Sequence, residues 1–144
     1  MTDPIAALKK DHKEAATMLR QLSSSKPGAR RRSLVDKLSK ELQLHMRIEE
    51  RDIYPLVAKR VKAEDAKEAT VEHGLARDGL KNLKRLVDKP GFGAVVEMLQ
   101  AGIRHHVKEE ETEIFPKLKK KLDTDELREL GDRVDAAKKA AKRR

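Results

Sequence analysis

Apolar residues recur along this chain at alternating intervals of three and four, the spacing of one face of an α-helix. Four such stripes are present: Ile5, Leu8, Ala15, Leu19 and Leu22; Leu34, Leu38 and Leu42; Ala66, Ala69, Ala76, Leu80, Leu83 and Val87; and Val95, Leu99 and Ile103. Each stripe predicts an amphipathic helix that buries this face. The pattern therefore predicts an all-α protein built on four main helices.

Turn and capping residues set the bounds of the predicted helices. The predicted ranges are 4–22, capped by Thr2 or Asp3; 30–55; 63–87; and 92–121. Because proline lacks an N–H, we expect a break or kink at Pro55, and Pro116 lies similarly late in the fourth helix. Asp123 and Glu126 resemble a capping box, which predicts a short extra helix leading into the C-terminal tail.

The second half of the chain repeats the first with a constant offset of 61 residues. Matching pairs include Leu19 with Leu80, Leu38 with Leu99, Ile53 with Ile114, and Tyr54-Pro55 with Phe115-Pro116. A fixed period indicates duplicated units that bury their apolar faces against each other. We therefore predict one domain at residues 1–121, with repeats 1–61 and 62–122, followed by a C-terminal helix and basic tail at 122–144.

Composition narrows the class of protein. A length of 144 residues favours a single domain, and the lack of cysteine excludes disulfides and thiolate metal sites. The sequence shows no signal peptide and no apolar run long enough to span a membrane, so we expect a cytoplasmic protein. Five cations and no acid occupy residues 136–144 of a chain whose net charge is +9. We expect this tail to be a solvated appendage, with weak binding to an anionic partner as the alternative.

Four of the five histidines follow the repeat. His12 and the pair His45 and Glu49 recur as His73 and the pair His106 and Glu110, and the lone histidine precedes the paired one by 33 residues each time. A single inward histidine is more often a hydrogen-bonded core residue than a metal ligand. Here, however, six polar residues interrupt the apolar stripes at one level, and buried carboxylates are costly unless they are paired or bind metal. We therefore predict a metal centre formed by His12, His45, Glu49, His73, His106 and Glu110.

These motifs, with a proline six residues after each paired glutamate, resemble the hemerythrin-like, HHE cation-binding domains over about residues 4–120. The resemblance implies an up-down-up-down four-helix bundle that holds two iron ions joined by an oxo or hydroxo bridge. It also implies that Glu49 and Glu110 bridge the ions and that the histidines are terminal ligands. Zinc and manganese stay open as alternatives, because imidazole and carboxylate ligands suit several metals.

The chain departs from the oxygen-carrying members of that family at one position. Those proteins have a second histidine one turn after the first on the third helix, where this chain has Arg77. Tyr54 is a further candidate, as a ligand or a hydrogen-bond donor to one, although packing at the bundle end is the favoured interpretation because its repeat partner is Phe115. The missing ligand implies a more open metal centre than reversible oxygen carriage requires.

Three further polar residues near the motifs have open roles. Glu50 and Glu111 are expected either to orient imidazole N–H groups or to be solvated. His105 aligns with an apolar residue in the first repeat, so we expect it to be packed or exposed and not metal-bound.

The sequence therefore predicts a non-haem di-iron protein that binds or reacts with dioxygen, peroxide or nitric oxide. Peroxidase-like, catalase-like or oxygen-reducing turnover is favoured over storage. One alternative is a di-iron sensor or binding module that acts through the basic tail. Another is an iron reservoir or donor. A purely structural bundle would have to tolerate Glu49 and Glu110 in its core.

Overall fold

The computed structural model describes residues 3–143, and every regular element in this range is helical. The α-helices are α1 (Pro4–Ser23), α2 (Ala29–Ile48), α3 (Tyr54–Arg60), α4 (Ala63–Arg85), α5 (Phe92–Glu109), α6 (Phe115–Lys121) and α7 (Thr124–Lys142). Two π-helical turns, π1 (Glu49–Ile53) and π2 (Glu110–Ile114), join α2 to α3 and α5 to α6. The all-α prediction is confirmed. Within residues 3–143, no helix combines the length and apolar character needed to cross a membrane.

Four long helical units form the bundle. Helix α1 packs against α2 and α5, and α4 packs against the same two helices, so the four close around a common interior. Short loops connect consecutive units, which places neighbours antiparallel. This is the up-down-up-down arrangement that the family resemblance implies.

The helix ends follow the predicted capping residues. The Asp3 carboxylate accepts hydrogen bonds from the N–H of Ile5 at 2.9 Å and of Ala6 at 3.3 Å. Thr2, the other predicted cap, lies outside the described residues. The capping box of α7 is present, because the side chains of Asp123 and Glu126 each accept from the other residue's N–H.

The predicted breaks at Pro55 and Pro116 take the form of π turns that precede the prolines. Each turn is closed by an i→i+5 hydrogen bond, from Tyr54 to Glu49 and from Phe115 to Glu110. Residues five apart on a regular α-helix lie about 140° apart around its axis. A π turn brings them towards the same side, so it can direct an aromatic ring and a glutamate into one interior layer.

The apolar core has two parts. One cluster includes Ile5, Leu8, Ile53, Tyr54, Val57, Phe115 and Leu118. The other includes Leu19, Leu22, Leu38, Leu80, Leu83 and Val96. On α1, His12 follows Leu8 of the first cluster and precedes Ala15 of the second. The predicted ligands thus form a polar layer between two apolar clusters.

The last helix packs on the bundle through residues that precede the basic tail at 136–144, while residues 136–143 are exposed or half-buried. Leu130 and Val134 are buried within the first apolar cluster, and α7 contacts α1, α2 and π1. Their spacing of four residues places both side chains on one face of α7. A domain boundary near residue 122 remains a prediction.

Candidate metal centre

All six predicted ligands converge in the polar layer. His12 comes from α1, His45 from α2, His73 from α4 and His106 from α5, while the two glutamates begin the π turns. Glu49 and Glu110 have no exposed surface, and each histidine is at most 9% exposed. Four separate helical units therefore present donor atoms to one enclosed space.

The donor atoms fall into two groups that share the glutamates. The first subsite consists of His12, His45, Glu49 and Glu110, and the second of His73, His106, Glu49 and Glu110. Within each subsite, the donor atoms lie within 4.8 Å of one another. This arrangement is the one that two cations bridged by two carboxylates require.

Individual distances agree with coordination geometry. The Nε2 atoms of His12 and His45 each lie 3.1 Å from a carboxylate oxygen, of Glu110 and Glu49 respectively. In the second subsite, His73 Nε2 lies 3.1 Å from Glu49 Oε1. Ligand atoms about 2.1 Å from one metal ion and at right angles are separated by about 3 Å. The side chains are therefore already spaced as ligands.

Unsatisfied polar atoms provide the test of fit. The buried atoms without a hydrogen-bond partner in the described residues are His12 Nε2, His45 Nε2, Glu49 Oε2 and Glu110 Oε1. Buried polar atoms are rarely left unpaired, since each costs about 1–3 kcal/mol. All four atoms belong to residues of the first subsite, which shares its two glutamates with the second. A cation bound there would satisfy them together, so the residues present fit a metal ion.

The electrostatics of the layer show the same need for positive charge. Burial opposes ionisation of Glu49, but the His45 and His73 imidazoles outweigh it and hold the pKa of this carboxyl well below its usual range. Burial lowers the pKa of His45, yet Glu49 and Asp11 raise it overall to about 10. The pKa of His106 is raised to about 9, against burial, mainly by Glu110. Protons on His45 and His106 thus balance the carboxylates where a metal ion would do so.

Each histidine is oriented by a second carboxylate at its Nδ1 atom. The pairs are His12 with Glu111 at 2.6 Å, His45 with Asp11 at 2.8 Å, His73 with Glu50 at 2.6 Å, and His106 with Glu72 at 2.6 Å. These bonds leave Nε2 free to face the centre, as is common for metal-binding histidines. The sequence left two roles open for Glu50 and Glu111, which were orienting an imidazole or being solvated. Their contacts with the Nδ1 atoms of His73 and His12 favour the first role.

Sequence reasoning missed two of these orienting residues, Asp11 and Glu72. Each immediately precedes a lone histidine, and the two are related by the same offset of 61 residues. The repeat therefore contained a signal for them.

Two of the orienting carboxylates also form an ion pair with a basic side chain: Arg77 binds Glu50 at 2.9 Å, and Lys138 of α7 binds Asp11 at 2.6 Å. Arg77 thus supports the second subsite indirectly.

Tyr54 and Phe115 occupy equivalent places beside the two subsites. The Tyr54 hydroxyl lies 3.0 Å from His73 Nε2 and 3.2 Å from His106 Nε2, and it donates a hydrogen bond to Glu110. Burial, reinforced by the two glutamates, raises the pKa of this phenol. The Phe115 ring instead stacks 6.1 Å from the His12 ring. Packing alone, the interpretation favoured from the sequence, does not describe Tyr54, whose hydroxyl lies among the donor atoms.

A cavity of about 430 Å³ reaches all four of these histidines. Much of its lining is aliphatic and belongs to the second apolar cluster, including Leu42, Met46 and Leu99. Met98, which also lines the cavity, is 77% exposed. A small molecule therefore has an apolar route to the polar layer, and Tyr54 does not line this route.

Comparison with known proteins agrees with this geometry. The family model of the hemerythrin HHE cation binding domain matches residues 3–118. A crystal structure of a hemerythrin HHE cation binding domain-containing protein from Mycobacterium kansasii, described as an Rv2633c homolog, has a TM-score of 0.83 and 27% sequence identity. That alignment covers 98% of this chain and 88% of the other. None of the curated proteins compared with the chain matches it. With its fold, its histidine and glutamate layer and this family match, the chain belongs to the hemerythrin HHE cation-binding family.

Proposed function

We propose that this protein is a non-haem di-iron protein that reacts with a small oxidant, with peroxide decomposition as its favoured activity. The proposal rests above all on the two subsites that share Glu49 and Glu110 and leave four buried donor atoms unsatisfied. When bound, an iron pair supplies redox chemistry towards dioxygen, peroxide or nitric oxide.

The residues of the layer divide this work. His12 and His45 hold the first metal position, His73 and His106 hold the second, and the two glutamates span both. The second carboxylates fix each imidazole with Nε2 pointing inward. The apolar cavity limits water at the histidines while admitting a small molecule.

Tyr54 makes the two positions unequal. Its hydroxyl lies within hydrogen-bond distance of both histidines of the second subsite, whereas Phe115 offers no donor atom to the first. We assign Tyr54 as an additional ligand of the second position. The first position then has fewer protein ligands, which favours binding of the oxidant there.

Metal analysis combined with absorption spectroscopy tests the proposal. We expect about two iron atoms per chain after aerobic purification and expression with iron. The absorption bands of the ferric pair should bleach on anaerobic reduction and return on addition of peroxide or air. His73→Ala should lower the iron content. An iron content unchanged by this substitution, or an iron-loaded protein inert towards dioxygen, peroxide and nitric oxide, would refute the proposal.

A sensing role is the second candidate, and one contact favours it. Lys138 of α7 binds Asp11 at 2.6 Å, and Asp11 binds His45 Nδ1 at 2.8 Å. This chain of contacts links a ligand of the first subsite to the C-terminal helix. If the protein is a sensor, metal loading should change protease sensitivity within α7. Identical digestion of the loaded and metal-free forms would exclude this role.

An iron reservoir is disfavoured because Glu49 and Glu110 are fully buried, which opposes rapid exchange of the metal ions with chelators.

A further inference from the structure

His105 is the histidine that the internal repeat leaves unexplained. It precedes Glu109 by four residues, so His105 and Glu109 repeat the spacing of His106 and Glu110, shifted by one position. The equivalent residues in the first repeat are Leu44 and Ile48, which pack in the apolar core. The second repeat alone therefore carries an additional pair of polar groups, one turn apart on a helix face.

The structure brings a third group to this pair from the neighbouring helix. His105 Nε2 lies 3.1 Å from Glu109 Oε1 and 3.5 Å from Glu72 Oε2, and the three donor atoms all lie within 4.8 Å of one another. The His105 side chain is 65% exposed and that of Glu109 is 39% exposed. These groups form a solvent-facing cluster across α4 and α5 with one nitrogen and two carboxylate donors.

Glu72 connects the cluster to the buried centre. One of its oxygens accepts a hydrogen bond from His106 Nδ1 at 2.6 Å, and the other faces His105. In the first repeat, the equivalent carboxylate of Asp11 uses its second oxygen to bind the fixed cation of Lys138. At Glu72, an imidazole and a further carboxylate occupy the corresponding place. The second repeat thus has groups that can ligate a cation where the first repeat has a lysine ammonium.

We propose that Glu72, His105 and Glu109 form a third divalent-cation site outside the buried pair. One imidazole and two carboxylates suit zinc, ferrous iron, cobalt or manganese, with water completing the coordination. Glu72 and His105 also line the cavity that reaches the buried histidines, so the site stands on the route into the polar layer. Its exposure makes it the weakest of the three metal positions.

Zinc binding to the full chain tests this site apart from any iron-dependent activity. Equilibrium dialysis followed by elemental analysis would compare the wild type with His105→Ala and Glu109→Gln. Neither substitution removes a ligand of the buried subsites. Glu113→Gln provides the matched control, because Glu113 is an exposed carboxylate near the same end of the unit and pairs only with Lys117 in the described contacts. We expect three zinc ions per wild-type and control chain, and two in each of the other variants.

Different outcomes separate this site from the function proposed for the buried centre. Two zinc ions in the wild type, or three in both His105→Ala and Glu109→Gln, would overturn the third site and leave the buried pair intact. His12→Ala addresses the other case, since it should remove a buried ion and keep the one that depends on His105. If zinc binding depends on His105 but not on His12 or His73, the third site stands and the buried centre fails.

Discussion

The Tyr54 hydroxyl lies 3.0 Å from Nε2 of His73, while the equivalent Phe115 ring meets His12 without a polar atom. The two halves of the repeat therefore differ by one oxygen at the metal centre. This hydroxyl therefore distinguishes the second subsite from the first, although each subsite has two histidines and shares the same two glutamates.

Tyr54→Phe should make the two halves alike. We expect the iron-loaded variant to lose a visible phenolate-to-ferric absorption band, because no phenol would remain at the second subsite. The metal-free variant should be less stable by about 1–3 kcal/mol, since the buried glutamates lose a hydrogen-bond donor. Absorption spectra and urea unfolding would measure the two effects.

The double variant Tyr54→Phe with Phe115→Tyr is the matched test, because it moves the hydroxyl to the other subsite. Recovery of the absorption band in this variant would support direct ligation. If Tyr54→Phe alone keeps the wild-type spectrum, Tyr54 is not a ligand.

Lys138→Met should weaken metal binding at the first subsite. Lys138 holds Asp11, which in turn orients His45. Loss of a group that directly orients a ligand costs about 10- to 100-fold in metal affinity, so we expect a smaller loss from Lys138, which is one contact further away. Helix α7 should stay docked through Leu130 and Val134. Competition with a zinc chelator would measure the affinity, and circular dichroism would monitor the helix.

The adjacent exposed residue supplies the control for this experiment. Lys139→Met removes the same charge from the same helix on its solvent side, so it should leave the metal affinity unchanged. Equal loss of affinity in the two variants would show that α7 acts through its overall charge and not through the contact with Asp11.

The stability of the metal-free protein should depend on the protonation of His45. Its pKa is raised from 6.5 to about 10, so its proton contributes stability that is fully present below pH 6.5 and is lost as the pH rises through about 10. A bound metal ion replaces this proton. The difference in unfolding free energy between the zinc-loaded and metal-free forms should therefore widen between about pH 7 and pH 9. Urea unfolding of both forms across this range would test it, and a constant difference would contradict it.

Gly102→Leu should restrict the cavity without disturbing the ligands. Gly102 lines the cavity and no atom lies within 4 Å of the position that its Cβ would take, so a larger side chain fits and occupies the route. We expect slower reaction of the reduced protein with peroxide at unchanged iron content, measured by stopped-flow absorption. Gly93→Leu is the control, because Gly93 also has open space but does not line this cavity. Equal rates in the two variants would argue for another route.

Much of this architecture was predictable because the internal repeat and the helical spacing of apolar residues both indicate which helix faces are buried. The offset of 61 residues identified His12 with His73 and Glu49 with Glu110, and the structure brings all four into one layer. The capping residues Asp3 and Asp123 marked helix starts because each lies where unpaired N–H groups need an acceptor.

Other features could not be predicted because they depend on local geometry that the regular α-helical period does not describe. On an uninterrupted α-helix, Tyr54 would point about 140° away from Glu49, so its place among the ligands follows only from the π turn. Asp11 and Glu72 resemble ordinary solvated acids unless the position of each histidine ring is known. The buried face of α7 was not predicted, although Leu130 and Val134 lie one helical turn apart in the sequence.

The polar layer divides the interior into two apolar clusters, each drawn from several helical units. Without a cation, the polar layer is held together mainly by contacts between imidazoles and carboxylates. Apolar packing is continuous only within the cluster on either side of this layer. Metal ions bound to ligands from all four helical units would join these units across the polar layer. Metal binding would thereby make two half-cores unfold as one cooperative structure.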